Sequence, residues 1–240
     1  MARMIVGNWK MHMTPPESRD LVQKLLALAG DVRDRLVILA PPFTSLPVVA
    51  DAIRNTLFKL AGQNMHGDKK GAFTGEISGV FLKAIGCDYV IIGHSERRHI
   101  MGETDEQINR KLKTALELGL ISIFCVGETE PERSAGKTEE VIRRQLDEGL
   151  KDILGEMHKI VIAYEPVWAI GTGKTATPKQ AADVHRFIRS RFSKPVTVLY
   201  GGSVKADNID LLMAEKDLDG VLVGGASLKP EEFSRIIRFQ

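Results

Sequence analysis

Glu165 stands where a buried strand is predicted to end, a position from which a carboxylate can act on a substrate. The run before it, Ile160–Tyr164, is short, apolar and rich in β-branched residues, which predicts a strand covered on both faces. Pro166 follows and has no backbone N–H, so the strand should end at the glutamate. A polar loop with two glycines, 170–174, comes next, before a helix that Thr177–Pro178 can begin. These features predict a catalytic base beneath a loop that can move.

The same stretch also admits less specific interpretations. A single glutamate at a strand end is usually just solvated, and Gly-x-Gly is a common loop pattern. The letters Gly-Thr-Gly-Lys-Thr also resemble the end of a nucleotide-binding phosphate loop. That motif requires another glycine at position 168, where this chain has Trp168. The nucleotide interpretation therefore fails.

Lys10 and His94 are further candidates, each just beyond a predicted strand. A lysine is usually a solvated surface residue, but Lys10 follows the first strand with Asn8 and would point over the mouth of a barrel. Ser95 can cap a short helix after His94, and the positive end of that helix would lower the pKa of the imidazole. We therefore expect a neutral ring that donates a hydrogen bond, although a lone histidine is more often structural.

Two pairs of glycines follow the last two predicted strands. Gly201–Gly202, with Ser203 behind it, follows the seventh strand, and Gly224–Gly225 follows the eighth. Paired glycines let backbone N–H groups approach an anion closely, and a helix start behind them adds positive potential. One pair can be only a turn, but two pairs at adjacent strand ends predict a phosphate site.

These candidates need a fold in which the ends of several strands meet. Eight short runs are typical of strands: Met4–Val6, Leu36–Ala40, Phe58–Ala61, Tyr89–Ile92, Ile121–Val126, Ile160–Tyr164, Val196–Tyr200 and Gly220–Val223. Amphipathic helical patterns such as Leu21, Leu25 and Leu28 lie between them, which predicts a parallel sheet with helices outside. An open doubly wound sheet usually has fewer strands and a dinucleotide fingerprint, which is absent here. We therefore expect an α/β fold, a single-domain (β/α)8 TIM barrel over residues 1–240.

The connection after the third strand, 63–78, is unusually long, polar and rich in glycine. A loop of this length is either functional or disordered, and the ordered-looking segment 71–75 favours function. Phe73 at its tip, if exposed, would need a partner surface.

Composition excludes several classes of function. The net charge is only +2 and the charges are interspersed, so we expect no binding of nucleic acid or of an anionic membrane. No apolar run approaches the ~20 residues that span a bilayer, and no signal segment precedes the first strand. Cys87 and Cys125 lie in or beside apolar runs, which predicts buried, reduced thiols and a cytoplasmic protein.

The candidates together form a carboxylate base, a histidine donor, a lysine ammonium and a phosphate site. The set includes no metal triad and no lysine in the sixth strand for a Schiff base. Such a set can move a proton on the carbon next to a carbonyl and stabilise the resulting enediolate. Because an enediolate that bears a phosphate readily eliminates it, a closing loop would protect the intermediate. The predicted substrate is a small phosphorylated aldose or ketose.

Six motifs spread over essentially the whole chain belong to one known family: Gly7–Met11, Gly71–Glu76, Ile92–Arg98, Ala163–Lys174, Tyr200–Val204 and Gly224–Ala226. Through them the chain resembles the triosephosphate isomerases. The resemblance implies interconversion of dihydroxyacetone phosphate and D-glyceraldehyde 3-phosphate without a cofactor, in glycolysis and gluconeogenesis. This family is itself the standard example of a glutamate base paired with a neutral histidine under a closing loop.

The resemblance also implies roles for individual residues. Glu165 is expected to shuttle the proton between two substrate carbons, His94 to polarise the carbonyl, and Lys10 to stabilise the enediolate and the phosphate. Asn8 is expected to contact the substrate, and the role of Glu96 is left open. The expected phosphate ligands are Gly171, Ser203, Gly224 and Gly225, largely through backbone N–H groups.

The loop around Thr74 resembles one that inserts into a second subunit beside its site, so a homodimer is implied. Two other functions stay open at this point. One is another phosphosugar-binding barrel, such as a lyase or an epimerase, which a substrate panel would separate. The other is a phosphate-metabolite binding protein that has lost catalysis, against which the retention of Lys10, His94 and Glu165 argues.

Overall fold

Parallel strands form a closed barrel in which each strand pairs with the next in sequence and the last pairs with the first. The structure is a computed structural model that describes residues 3–170 and 175–240. Its strands are β1 (Arg3–Asn8), β2 (Arg35–Ala40), β3 (Lys59–Gly62), β4 (Tyr89–Ile92), β5 (Ile121–Val126), β6 (Ile160–Tyr164), β7 (Thr197–Tyr200) and β8 (Gly220–Val223). The predicted (β/α)8 barrel is confirmed, with strand ends that differ from the predicted ones by at most two residues.

Helices cover the outside of the barrel. They are α1 (Pro15–Ala29), α2 (Leu46–Ala52), α3 (Gly79–Ile85), α4 (Ser95–His99), α5 (Asp105–Glu117), α6 (Glu130–Ser134), α7 (Thr138–Gly149), α8 (Pro178–Ser190), α9 (Ile209–Met213) and α10 (Pro230–Ile237). The predicted start of α8 is confirmed, because the side chain of Thr177 accepts a hydrogen bond from the backbone N–H of Gln180. No helix in the described ranges is both long and apolar enough to cross a membrane.

Two apolar clusters follow from the alternation of side chains along the strands. The larger one lies between the barrel and the helices, and the smaller one fills the barrel. The barrel interior contains Met4, Val6, Ile38, Ala40, Ala61, Tyr89, Ile91, Ile123, Cys125, Val161, Ala163, Leu199 and Leu222. Both cysteines are free and buried, as predicted. Leu28 is an exception to the predicted helix pattern, because its side chain is partly exposed at the edge of the buried face of α1.

The same alternation directs two polar side chains to the inside of the barrel at the carboxyl ends of its strands. Val6 faces inward, so Asn8, two residues later, belongs to the inner face. Ala163 also faces inward, which puts Glu165 on the inner face just beyond β6. The long connection 63–78 runs from the end of β3 to α3, whose N-terminus Ser78 caps.

Candidate active site

A cavity of about 590 Å³ opens at the carboxyl ends of the strands. Every predicted site residue that the structure describes lines it: Asn8, Lys10, His94, Glu165, Ser203, Gly224 and Gly225. Gly171 and the rest of segment 171–174 lie outside the described residues. Residues far apart in sequence therefore meet because each follows a different strand of one barrel.

Glu165 is almost completely buried, with 2% of its surface exposed, and both of its oxygens are engaged. Oε2 accepts a hydrogen bond of 2.7 Å from the backbone N–H of Ser95. Oε1 lies 2.9 Å from Nε2 of His94. The backbone N–H of Glu165 donates to the carbonyl oxygen of Val126 at 2.8 Å, which fixes the residue against the end of β5.

The surroundings keep Glu165 ionised. Burial by itself would raise the pKa of the carboxyl, but His94 opposes this, through its charge when it is protonated and through its hydrogen bond. The backbone N–H of Ser95 and the ammonium of Lys10 add to this effect, so the pKa of Glu165 is lowered. An ionised, dry carboxylate is the form that can accept a proton from carbon.

His94 occupies the N-cap position of α4, where Ser95 was expected. Its Nδ1 accepts a hydrogen bond of 3.2 Å from the backbone N–H of Glu96. The chain turns into this position through Gly93, whose φ of +74° is in the left-handed region. Because Nδ1 accepts, the proton of a neutral ring is on Nε2 and faces Glu165.

The predicted lowering of the pKa of His94 is wrong. Burial does lower the pKa, but the charge and hydrogen bond of the Glu165 carboxylate, together with the charge of Glu96, raise it overall. The prediction considered only the helix terminus and not the carboxylate against Nε2. The hydrogen bond at Nδ1 nevertheless requires the neutral ring, since a proton there would face the N–H of Glu96.

Lys10 is held in an uncommon backbone conformation, with a φ of +52°. Its backbone N–H donates to Oδ1 of Asn8 at 3.0 Å, and its carbonyl oxygen accepts from Nε2 of Gln63 at 2.8 Å. The ammonium forms a 2.5 Å ion pair with Glu96. Strain of this kind persists only where neighbours enforce it, and here it aims the side chain into the cavity.

The glycines after β7 and β8 leave room for groups that a side chain would displace. A Cβ at Gly201 would lie 2.9 Å from Cγ of Glu165, and a Cβ at Gly202 would lie 2.2 Å from the hydroxyl of Tyr200. Gly224 adjoins the stem of Lys10, whose Cε would be 3.4 Å from a Cβ there. These glycines, Gly201, Gly202, Gly224 and Gly225, form a surface called here the glycine wall. It lies against both the carboxylate of Glu165 and the ammonium of Lys10.

Sequence reasoning missed a buried carboxylate behind the site, Glu128, which has none of its surface exposed. Its Oε1 accepts hydrogen bonds from Tyr164 Oη at 3.1 Å and from Trp168 Nε1 at 2.9 Å. Arg133 pairs with the same oxygen and stacks over the ring of Trp168. Glu128 thereby fixes the chain on both sides of Glu165. No local signal could have found its contacts with Tyr164 and Trp168, because those residues are 36 and 40 positions away in sequence.

Glu96, whose role was left open, pairs with Lys10 and so orients the ammonium. Lys205, Lys229 and Glu232 also line the cavity and were not predicted. Within the described residues, no group of three or more His, Cys, Asp or Glu side chains is arranged to hold a metal ion. The arrangement can remove a proton from carbon while an N–H donor and an ammonium stabilise the oxyanion that forms.

Comparison with known proteins places the chain among related sequences. A family model described as triosephosphate isomerase matches residues 3–240. The triosephosphate isomerase of Roseiflexus castenholzii is 51% identical over 245 positions, covering 98% of this chain and 96% of the relative. The enzyme of Nostoc punctiforme is 50% identical, covering 98% of this chain and 97% of the relative. That of Chloroflexus aurantiacus is also 50% identical, covering 99% of this chain and 98% of the relative. With this coverage and identity, the chain belongs to the triosephosphate isomerase family.

Proposed function

We propose that the protein interconverts dihydroxyacetone phosphate and D-glyceraldehyde 3-phosphate by proton transfer through an enediolate. The observation that carries the proposal is the facing pair of Glu165 Oε1 and His94 Nε2, 2.9 Å apart, in a cavity that Lys10 and two glycine pairs also line. Membership of the triosephosphate isomerase family supports the same reaction and the same substrate class.

The phosphate is assigned to the glycine wall. Backbone N–H groups at Gly224, Gly225 and Ser203 can approach an anion closely, and the ammonium of Lys10 lies beside Gly224. Gly171 is proposed as a further ligand. With the phosphate bound there, the carbonyl end of a three-carbon substrate reaches toward His94 and Glu165, which line the same cavity.

The proton transfer is assigned to Glu165. Its carboxylate removes a proton from the carbon next to the carbonyl, and the electron pair of that C–H bond forms the enediolate. The N–H at Nε2 of His94 donates to the carbonyl oxygen as negative charge develops on it, and Lys10 and Asn8 stabilise the same oxyanion. Return of the proton to the neighbouring carbon, together with transfer of the hydroxyl proton from the oxygen of the first carbon to the oxyanion, gives the isomer. To act, Glu165 must exchange its bond with His94 for the substrate.

A coupled isomerase assay tests the proposed function. Purified protein should convert each triose phosphate into the other, and it should release tritium from substrate labelled at the carbon next to the carbonyl. The control is a panel of other phosphorylated sugars for lyase or epimerase activity. Binding of triose phosphate without turnover and without loss of tritium would contradict the proposal and favour a binding protein.

We also infer that residues 1–240 form one catalytic domain, since β1 and β8, near the two ends of the chain, pair with each other to close the barrel. A cytoplasmic location is supported by the free state of both cysteines.

We infer in addition a homodimer through the loop around Thr74. Large apolar side chains are exposed on the connections after β1, β3 and β4, which belong to the run of four consecutive barrel strands β1 to β4. Their exposed fractions are 94% for Met11, 42% for Phe73, 72% for Ile100 and 66% for Met101. Exposed apolar side chains grouped on one side of a protein are typical of an interface. A second copy of the chain would cover them and would contact the segment that holds Lys10.

Deletion of Gly71–Gly75 tests the dimer. The shortened protein is expected to be a monomer with poor activity, because the connection that carries Lys10 would lose its cover. Sedimentation measures the oligomeric state, and kcat/KM measures the activity. Leu211→Asp is the matched control, since Leu211 is 67% exposed on α9, away from these connections, and should leave the dimer intact. A fully active monomer would refute the idea that dimerisation orders the site.

A further inference from the structure

Arg98 lies directly behind the catalytic pair, and the proposed reaction gives it no role. Only 8% of its side chain is exposed. Its guanidinium donates from Nε to the carbonyl oxygen of Gly93 at 2.9 Å and from Nη2 to that of Cys125 at 3.2 Å. Nη1 pairs with Asp105 at 2.5 Å. One side chain thus joins the loop after β4, the end of β5 and the start of α5.

The two carbonyl groups are next to the residues that matter for the reaction. Gly93 immediately precedes His94, and its left-handed φ of +74° turns the imidazole into the cavity. Cys125 is paired with Ala163 of β6, and the next residue, Val126, accepts the backbone N–H of Glu165 at 2.8 Å. Arg98 therefore connects the backbone that carries the imidazole to the backbone that supports the carboxylate.

We propose that Arg98 is a positioning residue that sets the separation between the His94 ring and the Glu165 carboxylate. The inference rests on the proposed function, because only that reaction requires a particular distance between the imidazole and the carboxylate. A planar guanidinium presents donors in fixed directions, which lets it hold two carbonyl groups and one carboxylate at once. Asp105 balances the charge, so the burial of Arg98 is compensated.

Lysine at this position would keep the charge but lose the geometry. Its single ammonium can pair with Asp105 or donate to one carbonyl group. It cannot hold the carbonyl groups of Gly93 and Cys125 at their present distance from each other. A misplacement of about 1 Å between reacting groups costs on the order of 100-fold in rate. Among the described residues, the guanidinium of Arg98 has no hydrogen bond to the glycine wall, which follows β7 and β8, and Arg98 does not line the cavity.

The structure offers a matched control in Arg144. Arg144 pairs with the other oxygen of the same Asp105 at 3.0 Å, but its side chain is 58% exposed. No hydrogen bond of its guanidinium to Gly93 or Cys125 is present in the described structure. Replacement of Arg144 therefore perturbs the same carboxylate and leaves the two carbonyl contacts in place.

The experiment compares Arg98→Lys with Arg144→Ala in the full-length protein. We expect Arg98→Lys to lower kcat about 10- to 100-fold with little change in KM, and Arg144→Ala to change neither. Binding gives a second readout. Arg98→Lys should weaken 2-phosphoglycolate, whose carboxylate imitates the enediolate, about 10-fold, while inorganic phosphate should bind as before. A role in folding alone would lower the melting temperature but leave kcat per folded site and this ratio of affinities unchanged, and that result would overturn the inference.

Two further measurements cover the remaining outcomes. If Arg98→Lys does not fold, Arg98→Ala is assayed with millimolar guanidinium, and recovery of kcat supports the inference whereas no recovery in a folded variant contradicts it. The ¹⁵N signal of Nε2 of His94 should shift in Arg98→Lys and stay in place in Arg144→Ala. This signal does not depend on turnover. If the protein without any substitution proves inactive, the proposed function is contradicted, but the shift of the signal still decides whether Arg98 positions His94.

Discussion

Glu165→Gln is expected to lower kcat by about 10⁴-fold, at the upper end of what a general base contributes. The amide has nearly the same shape as the carboxylate, and its oxygen can still accept the hydrogen bond from Ser95. It cannot take a proton from carbon at any useful rate. The folded structure should therefore survive while the proton transfer is lost. Steady-state assays in both directions, with circular dichroism as a check on folding, measure the effect.

Glu165→Asp provides a graded version of the same test. Aspartate remains a base but withdraws the oxygens by one methylene, so a cost on the order of 100-fold is expected from misplacement alone. Glu156→Gln is the matched control, because Glu156 is partly exposed in the 3-10 helix that precedes β6, at the opposite end of the same strand, and this variant should be fully active. A nearly unchanged kcat/KM for Glu165→Asp would contradict the assignment of Glu165 as the base.

Lys10→Ala is expected to lower kcat/KM by about 1000-fold or more, close to complete loss of turnover. The ammonium is the cation that approaches the glycine wall from β1, so its removal leaves the phosphate and the developing oxyanion without that charge. The loss of attraction for phosphate should also weaken binding of inorganic phosphate. Isothermal titration with phosphate, beside the isomerase assay, separates the two effects.

The variant also removes the ammonium that pairs with Glu96, whose negative charge beside the site would then be less compensated and would repel an anionic substrate. Lys10→Met with Glu96→Gln distinguishes the two causes, because it keeps the stem and removes both charges. We expect this double variant to stay severely impaired. Lys59→Ala is the control for a lysine, since Lys59 starts β3 at the other end of the barrel and pairs with Asp88. An active Lys10→Ala enzyme would count against its role.

Much of the architecture was readable from local pattern. Runs such as Tyr89–Ile92 and Ile160–Tyr164 predicted their strands without error, because β-branched residues and flanking turns act through short-range sterics. Leu28 shows the limit of the helix pattern, since periodicity indicates a face but not how far the neighbouring elements cover its edge.

The pKa of His94 shows a different limit. The helix terminus beside it can be read from adjacent residues, but the carboxylate that reverses the direction of the shift lies 71 positions away, at residue 165. Electrostatic effects depend on distance in space, and the contact exists only once β4 and β6 are both part of the barrel. The same is true of Glu128 with Tyr164 and Trp168, and of Arg98 with Cys125.

The sequence by itself determined which residues end the strands and, through its motifs, which of them were candidates for chemistry. Only the tertiary structure decided that β1 pairs with β8, and so that Lys10, His94 and Glu165 share a cavity. It also decided that Glu96 orients Lys10, across 86 positions of chain. Local propensity acts over a few residues, whereas closure of the barrel depends on the packing of all strands together, and the distances within the site are fixed by that closure.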